Sequence, residues 1–378
     1  MSRITFLWRH LPDYAARLIR ATIDRGHQVD VIATRPYVPI EGMERSLGQR
    51  AHWIKDTTDT SFAALGLTVP DLVFQGGYHV PAFNRLAADA RAAGGQVVLM
   101  ADNSARPTWR QRTVDPVRHR LAFVPRFAGI FVPGASGQRF ARAMGYDPDR
   151  TVTGFYGADP SVFGDGGPLE TRPRRLLFVG QFVARKNVLG LAEAFARVAA
   201  RHPGWSLVMC GSGPQREAIP AHPQIEVRGF VQPEALTGIL RESRALVLPS
   251  LCDHWGLSVH EAALSGCALA LSDGVGAADD FATPANAVRF AAGDTGALAG
   301  ALDALMGWDE AAWQVARPVS LALARRFGPE RFADGVERLL AVATAGMGED
   351  AALLRGSARP AIAPVPRRPT PGTPDFAA

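Results

Sequence analysis

The stretch that decides the fold is residues 245–264, which read A-L-V-L-P-S-L-C-D-H-W-G-L-S-V-H-E-A-A-L. Its first four residues are all apolar, as in a buried strand, and Pro249 and Ser250 end that run. From Gly256 onward the apolar residues recur with helical spacing. A buried strand, a short loop and a helix in this order form the unit from which parallel sheets with crossover helices are built.

The same unit recurs along the whole chain. In the second half the predicted strands are residues 175–179, 206–210, 225–228, 245–249 and 267–271, and the predicted helices are residues 187–201, 233–243, 256–264 and 295–306. In the first half the predicted strands are residues 4–8, 28–33, 71–75, 96–101 and 129–133, and the predicted helices are residues 13–25, 82–93 and 137–143. Asp13 is a candidate N-cap of the first helix. Each half therefore predicts an α/β domain with a parallel sheet, and two such domains leave a crevice between them.

The expected domain boundaries follow from composition. Residues 1–160 form the first Rossmann-like domain and residues 175–328 the second, joined by a linker at residues 161–174 that is rich in Gly, Pro and charge. One more helix is expected within residues 329–355. Pro, Arg, Ala and Thr dominate residues 356–378 and leave almost nothing to bury, which predicts a disordered tail.

Overall composition is that of an ordinary globular protein, with 47% hydrophobic and 20% charged residues in a chain of 378. No apolar run reaches the roughly 20 residues of a membrane-spanning helix. The short apolar stretch at the start contains Arg3, Arg9 and His10, which is unlike a signal peptide. We therefore expect a cytoplasmic protein. The three cysteines follow no metal-ligand spacing and are expected to be reduced thiols.

Positive charge is concentrated in the first half of the chain. Residues 1–150 carry a net charge of +7, whereas the whole chain carries +5. A run of six arginines contributes to this excess: Arg106, Arg110, Arg112, Arg118, Arg120 and Arg126. These side chains predict either a solvated basic face or a surface for an anionic acceptor or the inner face of an anionic membrane. No aromatic-interleaved basic stretch indicates nucleic-acid binding.

The first candidate for chemistry is the strand-to-helix loop at residues 178–187, F-V-G-Q-F-V-A-R-K-N. Arg185 and Lys186 stand beside the positive end of a helix dipole, where a pyrophosphate binds favourably. The alternative is that both are solvated cap residues. Lys186 is one of only two lysines in the chain, the other being Lys55, so its position favours a site that uses a compact ammonium.

A second candidate is the turn C-G-S-G-P at residues 210–214, where Gly211 and Gly213 allow either a tight turn or a close approach to a ligand. The third is the stretch quoted first. Asp253 lies in its loop, and Glu261 lies about one and a half turns into its helix, where a carboxylate can accept hydrogen bonds from a vicinal diol such as that of ribose. Two acids that merely favour a helix N-terminus are the alternative.

Together these stretches resemble the retaining GT-B glycosyltransferases of family four, which show a strand with G-R-x4-K, a G-x-G-P turn and P-S-x-x-E-x-F-G followed by a second Glu. The matching residues are Gly180, Lys186, Gly211, Gly213, Pro214, Pro249, Ser250, Gly256 and Glu261. Residues 156–163 and 293–294 resemble later marks of the family. The resemblance is specific over residues 150–310 and weaker over residues 1–150.

The resemblance implies roles for three side chains. Lys186 would hold the donor diphosphate, Glu261 the ribose, and Asp253 would stand near the donor sugar, where the family has its first Glu. Two departures bear on these roles. Gln181 stands where the family usually has Arg, and Arg185 is a candidate to replace that charge. Asp253 is one methylene shorter than Glu, and geometry near a reacting sugar tolerates little error.

The resemblance also implies roles for the backbone and for the first domain. The backbone around Gly229 and Phe230 would meet the base, and the N–H groups of Gly256 and Leu257 would meet the phosphate and sugar. The last helix would cross back to the first domain. That domain would bind the acceptor, and Asp102 follows the strand at which related enzymes place a polar residue near the reacting carbon; a simple turn or cap is the alternative.

The predicted function is transfer of a hexose-type sugar from a nucleotide-diphosphate donor to an acceptor hydroxyl with retention, in cell-surface polysaccharide or glycoconjugate synthesis. The acceptor would be a glycan, a lipid-linked molecule or another hydroxyl compound. No cofactor or metal is required, because Lys186 and helix N–H groups can neutralise the leaving diphosphate. Two alternatives stay open: a non-catalytic subunit that binds a nucleotide-sugar, and a GT-B epimerase that acts on a nucleotide-sugar alone.

Overall fold

The computed structural model describes residues 1–36, 42–103, 116–117 and 119–353. The elements of the first half are β1 Arg3–Trp8, α1 Asp13–Asp24, β2 Gln28–Ala33, α2 Met43–Leu47, β3 His52–Trp53, β4 Leu72–Gln75, α3 Pro81–Ala92, β5 Gln96–Met100, β6 Gly129–Val132, α4 Ala135–Met144 and β7 Thr151–Thr153. The seven strands form one parallel sheet in the order β3-β2-β1-β4-β5-β6-β7. Because the central strands are covered on both faces, they read as nearly continuous apolar runs.

The second half begins with β8 Arg175–Val179 and continues with α5 Val188–Ala199, β9 Ser206–Cys210, β10 Ile225–Arg228, α6 Pro233–Arg241, β11 Ala245–Leu248, α7 Leu257–Leu264, β12 Ala268–Ser272, α8 Ala278–Phe281, β13 Ala287–Phe290, α9 Thr295–Met306 and α10 Glu310–Ala324. Its six strands also form a parallel sheet, in the order β10-β9-β8-β11-β12-β13. The predicted fold class, two α/β halves each built on a parallel sheet, is confirmed.

The last helix, α11 Pro329–Leu353, leaves the second half and packs on the first. Its buried face carries Phe332, Val336 and Leu339, all of which belong to the core beneath β1 and α1. Phe332 lies 5.8 Å from Phe6 and 5.2 Å from Phe131 between ring centroids. The prediction of a final helix that crosses back to the first domain is therefore confirmed.

Several features differ from the sequence-based predictions. The short strands β3, β7 and β13 and the helices α2, α8 and α10 were not predicted, since α10 contains Pro318 and the others are five residues or fewer. Asp13 is not the N-cap of α1: that position is Pro12, and the Asp13 carboxylate instead accepts hydrogen bonds from Arg17 at 2.7 Å and Ser46 at 2.6 Å. The predicted tail at residues 356–378 lies outside the described residues.

The predicted linker is packed against the second half. Phe163, Leu169 and Arg172 are all buried. The Arg172 guanidinium donates to the carbonyl oxygens of Ser243 at 2.9 Å and Ser265 at 2.8 Å, so the linker is joined to the second half by a buried charged side chain. Among the described residues, no helix is both long and apolar enough to cross a membrane.

Candidate functional site

At the carboxyl ends of β8 and β11 a lysine and an aspartate form an ion pair. The Lys186 ammonium contacts the Asp253 carboxylate, and both residues are buried. The Asp253 backbone is fixed as well, because its N–H donates to Gly274 at 2.8 Å and its carbonyl accepts from Gly276 at 3.1 Å. The two residues come from separate loops of the second sheet, which the rule for open parallel sheets brings to one edge.

The glycine-rich turn after β9 supports the loop that carries Lys186. A Cβ on Gly211 would collide with the carbonyl oxygen of Gly180, and one on Gly213 would collide with the backbone of Phe182. The two loops are also joined by hydrogen bonds, from the Gly180 N–H to Cys210 at 3.0 Å and from the Phe182 N–H to Ser212 at 2.8 Å. Close contact between two loops therefore accounts for both glycines in the turn.

Arg185 lies next to Gln181, the neutral residue that stands where the family usually has Arg. Its guanidinium donates to the Gln181 side chain at 3.3 Å, and Gln181 itself is exposed. The Arg185 carbonyl accepts a hydrogen bond from the Leu251 N–H at 2.8 Å, which ties the loop after β8 to the loop after β11. The edge of the site thus keeps one cationic side chain, anchored by a neutral neighbour.

The helix α7 begins directly behind this pair. Gly256 has a φ of 96°, a left-handed conformation that favours glycine, and the helix starts at Leu257. The first N–H groups of a helix have no intrahelical partners, so those of α7 can donate to an anion in the cleft. The loop before the helix is held by Trp255, whose indole N–H donates to Asp280 at 2.9 Å.

Glu261 borders a largely apolar cavity of about 160 Å³, which we call the donor cavity after the role that the family resemblance implies for Glu261. Its lining includes Glu261 together with Val179, Phe230, Val231, Leu236 and Leu257. Burial in these apolar surroundings raises the pKa of Glu261 to about 7. Phe230 is the predicted contact of the base, and the structure places it in the same cavity as Glu261.

Residues of the first half also reach the donor cavity, and sequence reasoning missed them. Tyr14 and Arg17 on α1 both line it. Arg17 lies 3.5 Å from the Glu234 carboxylate and 3.7 Å from that of Asp159, both measured from guanidinium nitrogen to oxygen. The signal for such residues is weak in sequence because Arg17 is more than 140 positions away from both of these carboxylates.

A second cavity, of about 220 Å³, lies at the carboxyl ends of β1, β4 and β5, and we call it the acceptor cavity after the role that the family resemblance implies for the first domain. The described residues that line it are Trp8, Arg9, His10, Gly76, Gly77, His79, Met100, Asp102, Phe155 and Tyr156. Sequence reasoning singled out Asp102, and the structure shows that its carboxylate accepts a hydrogen bond from the Tyr156 hydroxyl at 2.9 Å. Tyr156 was not assigned a role.

Two tyrosines lie between the cavities. The side chain of Tyr14 is hydrogen-bonded to that of Tyr156, and the two rings are 5.5 Å apart in an edge-to-face arrangement. Burial raises the pKa of both hydroxyls, which stay protonated at neutral pH. Tyr14 lines the donor cavity and Tyr156 the acceptor cavity, so the pair connects the surroundings of Glu261 to Asp102.

Hydrogen bonds join the two halves of the chain. Asp280 accepts a hydrogen bond from the Ala135 N–H at the start of α4 at 3.0 Å. The buried His260 accepts from the Ala158 N–H at 2.8 Å and donates through Nε2 to the Ala324 carbonyl at 2.9 Å. Burial lowers the pKa of His260 to about 4, so the ring is neutral and keeps the tautomer that these two bonds require.

Of the arginine run, only Arg120 and Arg126 are among the described residues, and both are exposed. Arg106, Arg110, Arg112 and Arg118 lie outside them.

Cys210 and Cys267 are buried free thiols, and Cys252 is a half-buried one.

The GT-B fold consists of two such sheets that face a cleft, with a last helix that packs back on the first domain. The protein of Anabaena named Alr3699/HepE, solved in complex with UDP and glucose, superposes with a TM-score of 0.70 over 90% of this chain and 100% of its own, at 13% identity. This similarity shows the fold.

Residues 173–307, which make up most of the second domain, match the family described as glycosyl transferases group 1. The glycogen synthase of Mycobacterium tuberculosis is 28% identical over 183 residues, which are 47% of this chain and 44% of that protein. The 2-deoxystreptamine N-acetyl-D-glucosaminyltransferase of Niallia circulans is 26% identical over 133 residues, 33% of this chain and 34% of its own. The matched region thus spans less than half of these curated relatives.

Proposed function

We propose that this protein transfers a sugar from a nucleotide-diphosphate sugar to an acceptor hydroxyl with retention of configuration. The observation that carries the proposal is the placement of Glu261 in an apolar cavity at the same sheet edge as Arg185 and Lys186. A largely apolar cavity that includes the Glu261 carboxylate suits a nucleoside, and cations in the adjacent loop suit the diphosphate attached to it.

The donor would occupy the cleft from the cavity to the loop after β11. The base would lie against Phe230, the ribose diol would donate to Glu261, and the diphosphate would meet Arg185, Lys186 and the first N–H groups of α7. Each charge-assisted hydrogen bond to phosphate would contribute about 1.5–3 kcal/mol. Glu261 and Phe230 line the donor cavity, and Arg185 and Lys186 lie in the loop beside it.

The cations also have a chemical role. As the bond between the sugar carbon and the diphosphate breaks, negative charge develops on the leaving oxygen. Fixed donors aimed at that charge stabilise the transition state more than the ground state, so Lys186, Arg185 and the N–H groups of α7 would promote departure without a metal. The acceptor hydroxyl oxygen would then bond to the sugar carbon on the face that the diphosphate leaves, and its proton would pass to the carboxylate of Asp102, which lines the acceptor cavity.

We further propose that the setting is synthesis of a cell-surface polysaccharide or glycoconjugate at an anionic membrane surface. The support is the net charge of +7 over residues 1–150. Salt-dependent binding of the protein to vesicles of anionic lipid, absent with neutral lipid, is the expected result.

The activity is tested with a thermal-shift screen of UDP-, GDP- and ADP-sugars, followed by assays for donor hydrolysis and transfer with the donor that stabilises most. A ligand present at 100 times its Kd raises the free energy of unfolding by about 2.7 kcal/mol, which is readily measured. Stabilisation by one class of donor, together with turnover, supports the proposal. Stabilisation by none refutes it.

A non-catalytic subunit that binds a nucleotide-sugar is the second candidate. It is favoured by the Lys186–Asp253 ion pair, which already engages the ammonium, and by Gln181 in place of a cation. Donor binding without hydrolysis or transfer to any acceptor would identify this role and exclude the enzyme.

A further inference from the structure

The described residues that line the acceptor cavity all belong to the first domain, and their chemistry is specific enough to identify the class of acceptor. We propose that the cavity takes a single uncharged sugar ring as the acceptor and discriminates against phosphorylated sugars. This inference rests on the proposed transferase function and narrows the acceptors consistent with the basic first domain.

The size of the cavity favours one ring. Its volume of about 220 Å³ is smaller than the roughly 300–1,000 Å³ of pockets that take drug-sized ligands. Part of its lining is aromatic, with Trp8, Phe155 and Tyr156, and we call this part the aromatic floor. The rings of Trp8 and Phe155 are tilted at 37° to each other with their centroids 5.1 Å apart. Aromatic faces of this kind match the C–H face of a sugar, whereas a polyprenyl chain needs a long apolar groove.

Polar groups lie around the aromatic floor at the ends of three strands. Asp102 follows β5, His79 follows β4, and Arg9 and His10 follow β1. Donors and acceptors on several sides of a small cavity are what a ring with hydroxyls at successive carbons requires. Oδ2 of Asp102 is held by the Tyr156 hydroxyl, which orients the carboxylate toward a fixed direction.

The charge of the cavity disfavours an anion. Arg9 is paired with the Asp56 carboxylate at 3.1 Å, so its charge is already compensated. Burial, with a smaller contribution from the Arg9 charge, lowers the pKa of His79 and keeps its ring neutral at pH 7. Among the described residues at the cavity, the carboxylate of Asp102 is then left without a compensating cation in hydrogen-bond contact. A phosphate on the acceptor would be repelled by it.

The test compares acceptors that differ only in charge. The full-length protein, with the donor identified by the thermal-shift screen, is assayed with methyl glycosides of glucose, galactose, mannose and N-acetylglucosamine, and with the corresponding 6-phosphates. We expect at least one neutral glycoside to be used with a kcat/KM about tenfold or more above that of its phosphate, which corresponds to one unfavourable interaction between like charges near a protein surface.

A matched pair of variants makes the charge argument specific. Asp56→Asn removes the carboxylate that pairs with Arg9 and is expected to shift the preference toward the phosphate several-fold. Asp59→Asn, which removes an exposed carboxylate paired with Arg85 on the same loop, is expected to leave the preference unchanged. Donor hydrolysis without acceptor, measured in parallel, should stay within about twofold of the parent protein in both variants.

Equal or better use of the phosphates, or use of a polyprenyl phosphate while every neutral glycoside fails to react and to compete, would overturn the acceptor assignment. Donor hydrolysis that persists in those experiments would leave the transferase proposal standing. A protein that neither binds nor hydrolyses any nucleotide-sugar would refute both proposals together.

Discussion

The ammonium of Lys186 is paired with the carboxylate of Asp253 inside the cleft, and both side chains are buried. A lone buried charge is costly, so the free protein keeps the lysine in place by supplying a carboxylate partner. A donor diphosphate would enter beside this pair and share the ammonium with Asp253. The ion pair therefore acts both on stability and on how strongly the site attracts an anion.

The first prediction concerns this ion pair. Lys186→Met leaves the Asp253 charge buried and unpaired, and we expect the free energy of unfolding to fall by about 3–5 kcal/mol. The double variant Lys186→Met with Asp253→Leu removes both charges and should recover much of that loss. Urea unfolding of the two single variants and the double variant gives the coupling energy directly. Additive effects would contradict a paired arrangement.

Glu261 predicts a dependence of stability on pH. Its pKa is raised to about 7 in the folded protein by burial, against about 4.5 when exposed. The folded state therefore binds the proton more tightly than the unfolded state, so this contribution to stability is present below pH 4.5 and is lost as the pH rises toward 7. The loss approaches about 3 kcal/mol for full burial, and less where solvent reaches the carboxylate.

Glu261→Gln should flatten that part of the profile, measured by urea unfolding between pH 5 and pH 8. Glu217→Gln, at a fully solvated surface position, is the control and should change nothing. Because the ionised carboxylate is the better acceptor for a ribose diol, nucleotide binding by the parent protein should strengthen as the pH rises from 6 to 8. If the free energy of unfolding of Glu261→Gln depends on pH as that of the parent protein does, the group that titrates is not Glu261.

The positions of Lys186 and Glu261 in the candidate donor site could be predicted from sequence because each depends on a local pattern. Lys186 and Glu261 each follow a strand in a short, recognisable loop-helix unit, so their position at one sheet edge follows from topology. Tyr14 and Asp280 could not be found in this way. Their neighbours are set by how the two halves and α11 pack, and no pattern within α1 or α8 carries that information.

We expect that a cation at position 181, in place of Gln181, raises the affinity of the site for a nucleoside diphosphate. Gln181→Arg adds a cation beside Arg185 at an exposed edge, and a solvated charge there should tighten binding of a nucleoside diphosphate by about threefold to tenfold. Gln138→Arg, at an exposed position of α4, adds the same charge away from the site and should have little effect. Calorimetric titration at two salt concentrations separates local binding from a general charge effect.

We expect substitution of Tyr156 to slow sugar transfer without weakening donor binding. Tyr156→Phe keeps the ring but removes the hydroxyl that holds Asp102, so we expect transfer to slow by about tenfold to a hundredfold, less than the loss on removing a positioned acid–base group itself. The Kd for the nucleotide should change by less than about twofold, as expected when the donor cavity is intact.

Tyr146→Phe is the matched control for that experiment. The hydroxyl of Tyr146 is buried and has no hydrogen-bond partner among the described residues, so its removal should not reduce transfer. Equal losses in the two variants would indicate a packing effect in place of a role for Tyr156 in orienting Asp102.

The central claim is that Lys186 and Glu261 hold a nucleoside diphosphate in the cleft, and calorimetric titration with UDP, GDP and ADP tests it most directly. We expect the parent protein and Lys55→Ala, which removes the other lysine of the chain at an exposed position, to bind at least one of the three with the same affinity. Folded Lys186→Ala and Glu261→Ala should each bind it at least about tenfold more weakly, the loss of one charge-assisted hydrogen bond. Unchanged affinity in both variants would contradict the account.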